Sequence, residues 1–105
     1  MTMTALEKEV EEKLRKMVES HGGKCLKWVC PGWRGVPDRI VIMPGGRIYF
    51  VELKRPKDGQ YSRMQDWWRD QLIVMGCRYY RIKDWGDVAW FETVLYHDQG
   101  GRCNA

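Results

Sequence analysis

The first segment of the chain shows the spacing of an amphipathic helix. Over residues 4–20 the apolar side chains recur every three or four positions, at Leu6, Val10, Leu14, Met17 and Val18. This period predicts a helix that buries one face. Thr4, with Glu7 three positions later, is typical of a capping box at the start of such a helix.

Four runs rich in β-branched and aromatic residues predict strands. They cover residues 24–30, 38–43, 47–54 and 78–82. The second and third runs are separated by Pro44-Gly45-Gly46, a sequence typical of a hairpin turn. We expect the last of the four strands to lie in the centre of the sheet.

Two further helices complete the pattern. One is predicted from the N-cap candidate Ser62 to about Met75, and a short one over residues 88–96. The polar segment 97–105 is expected to be a flexible tail. The order helix, three strands, helix, strand, helix indicates one α/β domain over residues 1–105, with a mixed sheet flanked by helices.

The predicted hairpin brings three charged residues together if its loop has three residues. Strand side chains alternate, so Glu52 and Lys54 lie on the same face, about 7 Å apart. With a three-residue loop, Met43 pairs with Arg47, and Asp38 then lies opposite Glu52 on that face. A four-residue loop would turn Asp38 away unless a bulge restored it.

This cluster is suited to phosphodiester hydrolysis. Two adjacent carboxylates, Asp38 and Glu52, repel each other unless a cation lies between them, and hard oxygen ligands favour Mg²⁺ or Mn²⁺. Such a metal binds a phosphate oxygen and lowers the pKa of a bound water. Lys54 is suited to orient or deprotonate that water or to neutralise the phosphate, and the carbonyl of Leu53 could add a ligand.

The charge balance favours a polyanionic partner. The formal net charge is +4, and basic side chains cluster in sequence around the proposed site, where we expect phosphate contacts or, alternatively, an ordinary solvated surface. These side chains are Lys24, Lys27, Arg34, Arg39, Arg55, Lys57 and Arg63.

Trp33 precedes Asp38 and could stack on DNA. The adjacent Trp67 and Trp68 cannot both face one core, so one is expected to cover an interface.

Several other classes of protein are disfavoured. None of the four cysteines is spaced as CxxC and no histidine lies beside a cysteine pair, which argues against zinc. The sequence shows no signal-peptide pattern and no apolar run of the ~18 residues needed to span a bilayer. We therefore expect no membrane association, and an intracellular protein with reduced thiols, with Cys25, Cys30 and Cys77 in or near the core.

Pro37-Asp38 followed by Glu52-Leu53-Lys54 resembles the PD-(D/E)xK nuclease signature. The wider pattern is more specific. It comprises Gly35-Val36-Pro37-Asp38-Arg39, Phe50-Val51-Glu52-Leu53-Lys54-Arg55-Pro56, Ser62, Gln65, Leu72 and Gly76. It resembles the VRR-NUC branch, the virus-type replication-repair nucleases, over nearly the whole chain.

This resemblance implies a restriction-endonuclease-like fold and a metal-dependent endodeoxyribonuclease, with no nucleotide cofactor. It implies a metal held by Asp38, Glu52 and a glutamate of the first helix, for which Glu11 is preferred and Glu7 is the alternative. It also places Gln65 near the metal-bound water or the phosphate. Similar stand-alone members are expected to be homodimers that act on branched DNA such as Holliday junctions in DNA repair, in the cytoplasm of bacteria or phage-infected cells.

Two other functions remain open. A non-catalytic DNA-binding module of the same fold would be expected to have lost Asp38, Glu52 or Lys54, and all three are present. A sequence-specific restriction-type nuclease would need long insertions for base contacts, and this chain has none. The leading prediction is a nuclease that recognises the shape of its DNA.

Overall fold

A computed structural model describes residues 5–53 and 61–102. The elements follow in the predicted order: α1 (Ala5–Ser20), β1 (Lys24–Lys27), β2 (Arg39–Met43), β3 (Arg47–Glu52), α2 (Arg63–Val74), β4 (Arg78–Arg81) and α3 (Trp85–Arg102). The predicted cap Thr4 lies outside the described residues. None of the described helices is long and apolar enough to cross a membrane.

The four strands form one mixed sheet in the order β1-β2-β3-β4. The first three strands are antiparallel, and β4 runs parallel to β3 because the chain crosses over through α2. The prediction that the last strand is central was wrong, since β4 lies at the edge of the sheet. Its sequence has an arginine at each end, Arg78 and Arg81, and charged ends suit an edge strand that has no second neighbour.

One face of the sheet carries the main core. Val10, Leu14 and Val18 of α1 are buried against alternate residues of the strands, and α3 completes the same cluster through Val88, Phe91 and Leu95. The predicted apolar stripe of α1 is thus confirmed from Val10 to Val18, whereas the burial of Leu6 is not described. The opposite face of the sheet is only partly covered by α2, whose Trp68 contacts Trp28, which in turn packs on Phe50; Leu26, Ile42 and Ile48 on this face are exposed.

The last helix is longer than the sequence pattern predicts. Residues 97–102 continue α3 and do not form a tail, whereas 103–105 lie outside the described residues. The extension is held by Asp98, which accepts a 2.6 Å hydrogen bond from the hydroxyl of Tyr49. The buried Arg47 donates to the same hydroxyl and to the carbonyl of Leu95. Burial raises the pKa of Tyr49 to about 12, so the phenol remains a neutral donor.

Candidate active site

The hairpin has the register on which the predicted site depends. Its loop is three residues long, Met43 pairs with Arg47, and the pairing continues to Arg39 opposite Val51. Continuing this register by one residue aligns Asp38, which directly precedes β2, with Glu52 at the end of β3. Gly45 and Gly46 adopt φ of 88° and 77°, a left-handed conformation that glycine takes without strain. The three-residue loop that brings Asp38 and Glu52 to the same face is therefore present.

A backbone hydrogen bond joins the two halves of the motif. The N–H of Leu53 donates to Oδ2 of Asp38 at 2.9 Å. On the other side of the same residue, the carbonyl of Asp38 accepts from the N–H of Trp28 at 3.0 Å. A hydrogen bond to a carboxylate is shorter and stronger than one between neutral groups. Asp38 is therefore held from both neighbouring strands, with its carboxylate turned toward the end of β3.

Glu52 is the most deeply buried carboxylate of the described chain, with 1% of its surface exposed. It alternates with Val51 and Leu53, which belong to the main core, and so points to the α2 side of the sheet. Its partner in the parallel register is Arg81 of β4. A carboxylate excluded from water is costly unless cations or hydrogen bonds stabilise it. This position is consistent with a cation-binding role.

Arg81 organises a group of residues that sequence reasoning missed. Its guanidinium lies 3.6 Å from the ring centroid of Tyr61, and it donates to the hydroxyl of Tyr79 at 2.9 Å and to Asp66 at 2.8 Å. Burial raises the pKa of Tyr79 to about 12, with Arg81 opposing the shift and Glu52 adding to it. The sequence signal was faint, because only the parallel register places Arg81 beside Glu52.

Tyr61 completes this group. Its hydroxyl is buried and has no hydrogen-bond partner within the described ranges. Burial raises the pKa of Tyr61; Arg81 opposes the shift, while Glu52, Asp87 and Asp38 add to it. The phenol is thus a neutral donor in the electrostatic field of both motif carboxylates.

Glu11 does not join the two motif carboxylates in this structure. Its Oε2 accepts a 3.0 Å hydrogen bond from Nε of Arg39 and a second, short one from Nη2. Arg39 is the residue after Asp38, and strand side chains alternate, so the Arg39 side chain points to the α1 face of the sheet. There it binds the carboxylate of Glu11. Over residues 5–53 and 61–102, no three carboxylate, imidazole or thiol groups are arranged to hold a metal. Glu7 lies in the first turn of the same helix.

Gln65 lies at the start of α2, where it forms a capping box. Its Oε1 accepts from the N–H of Ser62 at 2.8 Å, and its own N–H donates to Oγ of Ser62 at 3.1 Å. The loop before Asp38 contacts the same turn through Gly35. A Cβ at Gly35 would lie 2.6 Å from the carbonyl carbon of Met64 and 2.8 Å from the nitrogen of Gln65. The two predicted site segments therefore touch backbone to backbone.

The remaining predicted residues fall into two groups. Lys54, Arg55 and Lys57 lie outside the described residues. Of the predicted DNA-contact residues that the structure describes, Arg39 is partly buried against Glu11, whereas four basic side chains are exposed to solvent: Lys24, Lys27, Arg34 and Arg63. Trp33 is exposed, and the adjacent indoles divide as expected, with Trp68 turned inward and Trp67 outward.

Comparison with known proteins supports the resemblance. A solved structure described as "VRR_NUC domain" superposes with a TM-score of 0.75 and 26% identity, covering 82% of this chain and 92% of that one. The chain is also 50% identical over 50 residues to "Putative nuclease p44" of Acyrthosiphon pisum secondary endosymbiont phage 1. It spans about half the length of that curated relative, since the match covers 48% of this chain and 54% of the relative. No family model matches the chain.

The fold is that of a VRR_NUC domain, a small α/β nuclease fold with a mixed four-stranded sheet. The predicted resemblance and fold class are thereby confirmed.

Proposed function

We propose that this protein is a metal-dependent endonuclease that hydrolyses phosphodiester bonds in DNA. The observation that carries the proposal is the hairpin register, which sets Asp38 opposite Glu52 and ties Asp38 to the backbone of Leu53. In this proposal Asp38 and Glu52 hold the metal, and Lys54 orients or deprotonates the attacking water. The similarity to a VRR_NUC domain and to a phage protein named as a nuclease supports the same activity.

The residues present fit a hard divalent cation. Two carboxylates at facing strand positions supply anionic oxygen ligands, which suit Mg²⁺ or Mn²⁺ better than zinc. The bound metal would supply Lewis-acid activation of a phosphate oxygen and of water. One oxygen of Asp38 is oriented by the Leu53 N–H, which leaves the other for the cation. The Leu53 carbonyl is a further candidate ligand.

The other residues near this pair would act on the substrate. Gln65 uses its carbonyl oxygen for the helix cap, so its amide NH₂ is the part suited to donate to a phosphate oxygen or to the water. Four exposed cations that the sequence pattern placed near the site, Lys24, Lys27, Arg34 and Arg63, would contact flanking phosphates and make binding dependent on salt. Arg55 and Lys57 are proposed for the same role from their positions in the sequence.

Glu11 requires an exchange of partners before it can act as a metal ligand. Arg39 holds its carboxylate in this structure. Guanidinium binds phosphate with two parallel hydrogen bonds, so an arriving DNA strand would compete for Arg39 and release Glu11 toward the metal. Glu7, in the first turn of α1, remains the alternative ligand. In this proposal, metal and DNA binding strengthen each other.

The proposed substrate is branched DNA, including Holliday junctions, cut by a homodimer during DNA repair. Two active sites related by a two-fold axis suit the symmetry of a four-way junction. The described residues form one four-stranded sheet and three helices, with no separate element among them for reading bases, which supports recognition of DNA shape. A DNA-binding module of the same fold that does not cut is the second candidate, favoured by the Glu11–Arg39 pairing.

Cleavage of labelled four-way junction, flap and linear duplex DNA tests the proposal. The native chain is compared with Asp38→Asn and Lys54→Ala in Mg²⁺, in Mn²⁺ and in chelator. Asp70→Asn is the matched control, since Asp70 is an exposed carboxylate on α2 that bonds Arg69. We expect metal-dependent cutting that both motif variants abolish and the control retains. Tight junction binding without cutting in either metal would instead support the binding module.

Glu11→Gln and Glu7→Gln separate the two candidate ligands. Each variant removes one negative charge and keeps the side-chain volume. The variant that raises the metal concentration needed for half-maximal cleavage identifies the ligand. If neither does so, the metal is held by the hairpin carboxylates without help from α1.

A further inference from the structure

Two indole rings, one on the loop that leads to Asp38 and one on α2, form an exposed aromatic surface. Trp33 of the loop is 55% exposed and Trp67 of α2 is 43% exposed. Their planes are within 6° of parallel and their centroids are 6.3 Å apart. We call these two side chains the tryptophan platform.

The platform is held in place from below. The inward-facing Trp68 meets Trp33 at 5.6 Å and Trp67 at 5.2 Å, nearly edge-on in both cases. Trp68 in turn contacts Trp28, which packs on Phe50 of the sheet. Edge-to-face contacts of this kind fix ring orientation. The two outer indoles are therefore ordered before any ligand arrives, so stacking on them costs little conformational entropy.

The surroundings of the platform are basic. Arg34 follows Trp33 in the chain, and Arg63 lies one helical turn before Trp67; both are exposed. The carboxylates on the same helix are already engaged, because Asp66 binds Arg81 and Asp70 binds Arg69. A second copy of this surface would bring like charges together, whereas a nucleic acid supplies phosphates for the arginines and flat rings for the indoles.

We propose that the tryptophan platform stacks the unpaired bases of a DNA strand beside the nuclease site. In a paired helix the faces of the bases are already stacked on each other, so only unpaired or splayed bases are available to an indole. The inference rests on the proposed nuclease function for the nature of the substrate. It adds that, among branched DNAs, unpaired or splayed bases next to the scissile phosphate strengthen binding.

Binding measured without cleavage tests the platform. The full chain is titrated, in chelator, with oligothymidylate, with a blunt duplex hairpin, and with that hairpin carrying a single-stranded extension. Trp33→Ala and Trp67→Ala are compared with Trp85→Ala and Trp90→Ala, since Trp85 and Trp90 are similarly exposed (53% and 51%) but belong to α3. Circular dichroism checks folding in each case.

We expect each platform variant to weaken binding of oligothymidylate and of the extended hairpin by about 5- to 150-fold, the range for loss of one base–aromatic stack. Binding of the blunt hairpin should change by less than about 2-fold, and the α3 variants should bind like the native chain. Trp33→Phe, which keeps an aromatic face, should recover most of the affinity. Fluorescence quenching on binding should be lost in the platform variants and kept in the α3 variants.

Equal losses on the blunt and extended hairpins would overturn the proposal. So would a dimer, seen by sedimentation, that Trp33→Ala or Trp67→Ala dissociates without weakening DNA binding, because the occupant would then be a second copy. The outcomes separate this inference from the proposed nuclease. Tryptophan-dependent binding with no cutting in any metal refutes the nuclease alone, whereas cutting with no tryptophan dependence refutes the platform alone.

Discussion

Gly35 is the position where one added methyl group should disturb the site most. It adopts a φ of 79°, and an alanine there would place its Cβ 2.6 Å from the backbone carbon of Met64 and 2.8 Å from the nitrogen of Gln65. These atoms belong to the first turn of α2 and cannot move alone. Gly32, in the same loop, has a φ of 87° but no atom within 4 Å of the corresponding Cβ. The two glycines differ mainly in the steric contact.

The left-handed conformation costs an alanine about 1–2 kcal/mol at either position. Overpacking against backbone adds about 1–3 kcal/mol at Gly35 alone. A Gly35→Ala variant should therefore lose about 2–5 kcal/mol of the free energy of unfolding and Gly32→Ala about 1–2 kcal/mol. Since domains of this size lose about 4–8 °C of Tm per kcal/mol, the Gly35 variant should melt at least about 4 °C below the Gly32 variant.

Thermal unfolding followed by circular dichroism measures this difference. Cleavage assayed well below both transitions measures the effect on the site, and we expect a loss of activity in Gly35→Ala that Gly32→Ala does not share. The displaced loop carries Asp38, so activity should fall further than the folded fraction does. Equal melting temperatures for the two variants would refute the steric argument.

Three further predictions concern positions outside the motif. Tyr49→Phe removes the hydroxyl that bonds Asp98 and should lower the unfolding free energy by about 1–3 kcal/mol, measured in urea, without changing cleavage; an unchanged midpoint would show that the bond contributes nothing. Arg81→Lys keeps the charge but loses the forked guanidinium that donates to Asp66 and to the Tyr79 hydroxyl. We expect the free energy of unfolding to fall by a similar amount, and an unchanged urea midpoint would contradict this prediction. Burial raises the pKa of Cys25 to about 11, so its thiol should be alkylated last at pH 8, as followed by peptide mass spectrometry. Because the pKa of this thiol is higher in the folded chain than in the unfolded chain, the unfolded chain loses the proton first. The free energy of unfolding should therefore be unaffected by Cys25 below about pH 9 and should fall as the pH rises through 11. Rapid alkylation of Cys25 in the folded chain would show that the thiol is not buried.

The hairpin and its carboxylate pair were predictable because they depend on local information. Loop length and strand alternation fix the register of Asp38 against Glu52, and both can be read from the sequence. The capping box of Ser62 and Gln65 is equally local. This cap requires Gln65 to lie three residues after Ser62, whatever further part Gln65 plays.

The errors arose where distant segments decide the outcome. The edge position of β4 follows from a parallel pairing reached through α2, and no local pattern encodes it. The end of α3 depends on Asp98 meeting Tyr49, 49 residues earlier. Glu11 is a different case, because its role as a metal ligand stays a prediction: the structure shows only that Arg39 donates to its carboxylate. A sequence pattern shows which side chains are charged, but it does not show which oppositely charged group each of them binds in the fold.

The Leu53–Asp38 hydrogen bond also bears on how the domain folds. It joins residues 15 apart in the chain, whereas the bonds of Glu11 with Arg39 and of Tyr49 with Asp98 join residues 28 and 49 apart. Loop closure costs less entropy for shorter separations, so the hairpin is the part of the sheet that can form earliest. An isolated hairpin is only marginally stable in water. The helices therefore provide the stability of the native state, while the relative position of the two carboxylates is determined by a contact that can form before the helices dock.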